Sequence, residues 1–226
     1  MVKNLDVFWK ALVLTAIVFI LGVLLGYFLE KNRIDNFREE FSNIEAQWAD
    51  ARLLSRYFSE ISPELCDEAI KQNLIFADKI YREGLKLDNY DSAAPLTEKE
   101  IEFERKRYAL FKSEFLLNSI SLKERCNANY VNLIYFFTAN PTADEGAKQA
   151  VQSKILEEIK NEYGSELMLI PLPIDLDIFV INILKNTHNI KEAPTILINE
   201  NIKLEGVQSR DALKSELEKA RKSSPL

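Results

Sequence analysis

Few side chains in this sequence have reactive chemistry to offer: two cysteines, Cys66 and Cys126, and a single histidine, His188. The cysteines stand 60 positions apart, which excludes a local dithiol of the C-x-x-C kind. A structural zinc usually takes four Cys or His ligands, so no metal site is assigned. A Ser-His-Asp triad would have to use His188, and no nucleophile motif accompanies it. Thr142 carries a hydroxyl but has no basic partner nearby, and Asp144 and Glu145 after it read as helix-capping charges. His188 reads as a solvated loop residue, with pH sensing as its alternative. No catalytic residue and no cofactor follow from this inventory. The net charge of −6, without a Lys/Arg run, argues against a nucleic-acid partner.

The elements that would position these residues begin with an anchor. Between Lys10 and Glu30, residues 11–29 carry no charge. As a helix they span roughly 28 Å, close to the hydrocarbon thickness of a bilayer. Phe8 and Trp9 on one side and Tyr27 on the other suit the two interfaces. A cleaved signal peptide would have a shorter apolar run and a small-x-small site, which Gly26-Tyr27-Phe28-Leu29-Glu30 lacks. The expectation is a single-pass protein of the cell membrane, held by a signal anchor, with lipid as one partner. Lys3 and Lys10 before the span nearly balance Lys31, Arg33 and Arg38 after it, so charge leaves orientation open.

Residues 30–126 read as a helical stalk and hairpin. Ile34, Phe37, Phe41, Ile44, Trp48, Ala51 and Phe58 step by threes and fours, a heptad seam. It serves packing within the chain or a dimerising coiled coil. Ser62-Pro63 starts a second helix whose inward stripe is Cys66, Ile70, Asn73, Ala77 and Ile80, ending near Gly84. A polar loop follows over residues 87–92. Thr97-Glu98-Lys99-Glu100 forms a capping box, with Leu96 and Ile101 as a staple, for a third helix with stripe Ile101, Tyr108, Phe111, Phe115 and Leu122. An antiparallel hairpin brings Cys66 and Cys126 together as a disulfide candidate, and closing that loop would stabilise by roughly 4 kcal/mol. The other reading is two unpaired cysteines acting as small buried hydrophobes. A disulfide would place the soluble part outside the reducing cytosol, hence extracytoplasmic.

From residue 127 the pattern becomes α/β. Residues 131–137 and 167–171 are buried strands, and 193–198 is a strand led by proline. Residues 202–205 are a short strand closed by Gly206. Helices fall over 145–163, with Ala147, Val151, Ile155 and Ile159 on one face, over 175–187, and from the cap Ser209 to about Lys222. The order is β-α-β-α-β-β-α.

That order, with Pro194-Thr195 entering a hairpin that Gly206 ends, resembles the thioredoxin superfamily, membrane-tethered disulfide oxidoreductases included. The resemblance covers residues 127–226 and implies a cis peptide at Ala193-Pro194 beside the active-site loop. It also implies C-x-x-C between the first strand and its helix. Here that stretch, Phe137 to Gly146, has no cysteine, and without a thiolate there is no exchange chemistry. What the resemblance leaves is a groove for an extended peptide, framed by Asn140, Pro141, Ala193 and Pro194. The expected function is therefore a non-catalytic protein- or peptide-binding module. The alternative is an oxidoreductase using Cys66 or Cys126, and a stalk-driven homodimer is a third, structural class.

Overall fold

The computed structural model of the chain describes residues 3–59, 65–90 and 98–222. It is a mixed α/β structure, mostly helical, with one four-stranded sheet. Helix α1 (Lys3–Ser59) is continuous. Its segment Val7–Leu29 is long and apolar enough to cross a membrane, and none of it is buried against the rest of the chain. Thr15 donates its hydroxyl to the Ala11 carbonyl at 2.9 Å, so this polar side chain is satisfied within the helix. The side chains of the expected heptad seam, Ser62-Pro63, and Leu96-Thr97 of the expected capping box and staple lie outside the described residues.

Helices α2 (Cys66–Tyr90) and α3 (Glu98–Cys126) follow. The sequence ends α2 near Gly84 and expects a loop from residue 87, but the helix runs on to Tyr90. The glycine serves close approach rather than termination. A Cβ at position 84 would stand 2.6 Å from the Tyr108 hydroxyl, which reaches past it to donate to the Ile80 carbonyl. Cys66 and Cys126 are bonded to each other, with their Cα atoms 5.4 Å apart, tying the start of α2 to the end of α3.

The remaining elements are β1 (Val131–Phe137), α4 (Ala143–Tyr163), β2 (Leu167–Pro173), α5 (Phe179–Thr187), β3 (Thr195–Ile198), β4 (Ile202–Glu205) and α6 (Arg210–Lys222). The sheet order is β2-β1-β3-β4. β1 and β2 run parallel, with Val131 level with Leu167; β1–β3 and β3–β4 are antiparallel. One face packs Leu133, Tyr135, Leu169, Ile196 and Ile198 against α4 and α6. The other packs Ile134, Phe136, Met168, Ile170 and Leu172 against Phe115 and Leu116 of α3, Phe76 and Ile80 of α2, and Ile181 of α5. The helical hairpin thus shares a core with the sheet.

Two further helices differ from expectation. The inward face of α4 is Gln149, Gln152, Leu156, Ile159 and Lys160, while Ala147 and Val151 are exposed. Ile155 and Ile159 of the expected face do pack against the core, but the buried polar side chains, placed by specific hydrogen bonds, take the inward positions that apolar periodicity assigns to Ala147 and Val151. Helix α5 begins at Phe179 rather than residue 175, which frees Asp175 for a loop contact described below.

Both sheet edges are protected. On the β2 edge, the buried Lys160 ammonium donates to the Asp78 carboxylate of α2 at 2.9 Å and to the carbonyls of Gly164 at 2.7 Å and Leu167 at 2.9 Å. The Leu167 carbonyl therefore faces away from β1, as do the backbone groups of its alternates Leu169, Pro171 and Pro173. Proline sits where an outward N–H would otherwise be left unpaired. The β4 edge is four residues long and carries the Lys203–Glu205 ion pair at 2.8 Å.

We predict that Lys160→Met lowers stability by about 2 kcal/mol, because it leaves buried carbonyls and Asp78 without their donor. Val151→Ala, at an exposed position, should change it by less than about 0.5 kcal/mol. Urea denaturation of the full chain in detergent checks both.

Candidate functional site

The C-terminal end of β1 opens into residues 138–142, which lead to the N-terminus of α4. Thr142 caps that helix. Its hydroxyl oxygen accepts from the Glu145 N–H at 3.4 Å, and the Glu145 carboxylate accepts from the Thr142 N–H at 2.8 Å and the Thr142 hydroxyl at 2.9 Å. Those bonds from Thr142 hold the Glu145 carboxyl below its ordinary pKa. The Thr142 hydroxyl is thereby engaged in capping.

Three side chains fix the loop. The buried Gln149 amide accepts from the Thr138 N–H at 2.5 Å and donates to the Thr138 carbonyl at 3.2 Å. The Asp175 carboxylate accepts from the Ala139 N–H at 2.7 Å and the Asn140 N–H at 3.0 Å. Arg105 of α3 donates to the Asn140 side-chain oxygen at 3.2 Å. Asn140 and Pro141 are exposed on this loop.

On the neighbouring strand, Phe136 is level with Thr195. Carrying that register one residue further sets Pro194 level with Phe137, at the mouth of the loop. The Ala193-Pro194 peptide bond is cis. Pro194 is buried and its carbonyl accepts from the Gly206 N–H at 2.9 Å, while Ala193 is half-buried. Among the described residues, neither the N–H nor the C=O of Ala193 enters a hydrogen bond. The four groove residues named from the sequence therefore lie at one end of the sheet.

The cysteines lie at the other end. Cys126 closes α3, with four residues between it and the start of β1, whereas the loop follows the end of β1. A seven-residue strand separates the ends by about 20 Å. His188 sits at the C-terminus of α5, its N–H bonded to the Leu184 carbonyl at 3.1 Å.

A second polar cluster occupies the cysteine end, and sequence reasoning missed it. Asn73 of α2 donates to the Ser119 hydroxyl at 3.4 Å, and Ser119 donates to the Asn132 side-chain oxygen at 2.9 Å. Lys123 and the Asn132 N–H both reach the Asn199 side-chain oxygen, at 2.8 and 3.0 Å. Asn132 donates to the Glu200 carboxylate at 3.4 Å. Tyr130 donates to the Ser119 carbonyl at 2.6 Å, and burial pushes its phenol up to about 12. Burial also raises the Glu200 carboxyl and lowers the Lys123 ammonium.

No protein-family model matches the chain, and no curated protein matches it. The solved structures it is similar to include two whose chains it covers almost entirely. One is a malarial protein, 20% identical, at 40% coverage of this chain and 97% of that one, with a TM-score of 0.33. The other is chloroplastic thioredoxin z, 16% identical, at 49% and 90% coverage, with a TM-score of 0.37.

Two outcomes follow from the geometry. Asp175→Asn offers only one acceptor oxygen to two N–H groups, so it should cost about 1 kcal/mol and speed amide exchange at Ala139 and Asn140; hydrogen exchange by mass spectrometry reads it. A carboxyl raised in the fold weakens the folded state as pH climbs above its unfolded value near 4.5, because the unfolded chain ionises first. Glu200→Gln should therefore raise stability at pH 7 and leave it unchanged at pH 3, as measured by urea denaturation at the two values.

Proposed function

We propose that residues 127–226 form a thioredoxin-like domain without redox chemistry that binds extended protein or peptide segments, tethered to the cell membrane through Val7–Leu29. The observation that carries this reading is at the head of α4. The loop there is held by Gln149, Asp175 and Arg105 and lies level with Pro194, yet it presents Asn140, Pro141 and Thr142 where the chemistry needs a thiolate. The β-α-β-α-β-β-α order and the parallel β1–β2 pair agree with the resemblance. A peptide lying alongside Ala193 would find an N–H and a C=O to pair with, the main-chain recognition that extended ligands use. The Cys66–Cys126 bond supports an extracytoplasmic position for the soluble part. An oxidoreductase built on either cysteine would work about 20 Å from this loop, at the opposite end of β1.

The test uses the full chain in nanodiscs. Insulin reduction by dithiothreitol should run at its background rate, and turnover abolished by Cys126→Ser would overturn the proposal. Reduced, carboxymethylated α-lactalbumin, a permanently extended chain, should bind with a Kd on the order of micromolar. Ala193→Trp should weaken that binding about ten-fold, a loss of about 1.4 kcal/mol, while Glu218→Trp on the exposed face of α6 should not.

A further inference from the structure

Beside the β2 edge, between α2, α3 and α4, lies a cavity of about 430 Å³, within the range of small-molecule sites. It lies on the β2 side of β1, whereas Pro194 lies on the β3 side, and it meets the 138–142 loop at Ala139 and through Arg105. The Lys160 clamp on Asp78 holds α2 against α4, and the cavity lies beyond it along the edge strand.

Its walls are unusually aromatic. Tyr81, Tyr108, Tyr135 and Phe137 line it, with Tyr135 and Phe137 stacked at 6.0 Å between centroids and 22° between planes. Pro171 and Pro173 add compact apolar rings from the edge strand. Tyr108 is locked in place by its hydrogen bond to Ile80 and by its contact with Gly84, where a larger residue would displace it. The wall is therefore pre-formed, and flat faces on several sides suit a planar guest.

Among the described residues that line it, cations outnumber carboxylates, Arg105, Lys112 and Lys154 against Glu157, in a protein of net charge −6. Lys154 and Glu157 pair with each other at 3.1 Å on the exposed rim. Lys112 is inside: it is 6% exposed, and its ammonium stands 4.6 Å from the Tyr108 ring centre and 5.7 Å from that of Phe137. Its positive charge, held among ring faces and away from water, attracts an anion that enters the cavity. Burial and the nearby Glu157 raise the Tyr81 phenol, which stays a hydrogen-bond donor at neutral pH.

We propose that this cavity binds a small planar aromatic compound carrying one anionic group, with the ring held among Tyr81, Tyr108 and Phe137 and the anion set against the positive charge of Lys112.

Calorimetry on the full chain in nanodiscs, with empty nanodiscs subtracted, tests it using 2-naphthoate and its neutral counterpart 2-naphthylmethanol. Naphthoate should bind saturably at one site, at least about ten-fold tighter than the alcohol. Lys112→Met should erase that preference. Ala150→Trp, at an exposed position on the cavity's rim, should weaken naphthoate about ten-fold or more without changing the thermal midpoint, and Ala109→Phe should do so from inside. Ala193→Trp should leave naphthoate binding unchanged, which separates this site from the peptide groove. No saturable binding, equal binding of the two probes to the native chain, or binding that survives both Ala150→Trp and Ala109→Phe would each overturn the proposal.

Discussion

Strands β1 and β2 are apolar on both faces, so neither face of the sheet can meet water. Helices α4 and α6 cover one face. The other has only the nine-residue α5 from the same α/β stretch, too short to shield two seven-residue strands. The α2–α3 hairpin supplies the missing cover through Phe76, Ile80, Phe111, Phe115 and Leu116. Each such side chain buried contributes about 1.5–3 kcal/mol, before the entropy of ordering the chain is set against it. The disulfide, closing the hairpin beside the start of β1, holds that cover at the sheet.

The parts of this architecture that were legible in the sequence are those where local chemistry and tertiary demand agree. β1 shows as a β-rich apolar run, and β4 as a short strand closed by Gly206, and both ends of each fall where the pattern sets them. The pattern misleads where a polar residue is buried for a specific bond. Gln149 and Gln152 face inward on α4 because their amides satisfy the backbone at Thr138 and Gln208, and periodicity has no means of seeing such partners. Gly84 looks like a helix end because its close approach to Tyr108 depends on a residue 24 positions away. The groove residues Asn140, Pro141, Ala193 and Pro194 were named from a resemblance, while Asp175, which holds their loop, gave no local signal beyond standing near a helix start.

The two ends of the sheet divide the polar chemistry between them. At one end a carboxylate, an amide and a guanidinium hold a loop that carries no nucleophile. At the other, Asn73, Ser119, Asn132, Asn199 and Glu200 tie α2, α3, β1 and the β3–β4 turn into one network next to the disulfide. Asn199 and Glu200 both take left-handed backbone, with φ of 45° and 58°, in that turn. Asparagine tolerates this more readily than glutamate does. The turn's carboxylate is thus held in place by the network at some conformational cost, the arrangement of a structural junction.

The closed strand edges have a consequence for life at a surface. A helix such as Val7–Leu29 would confine copies of the chain to a plane, where encounters between neighbours are far more frequent than in free solution. Open strands under such crowding would zip laterally from one molecule to the next. Lys160 and two prolines deny that route along β2, and shortness and charge deny it along β4. Contacts between copies anchored in that way would be left to helix surfaces, whose side-chain packing can be weak and reversible, so the molecules would stay dispersed at high areal density.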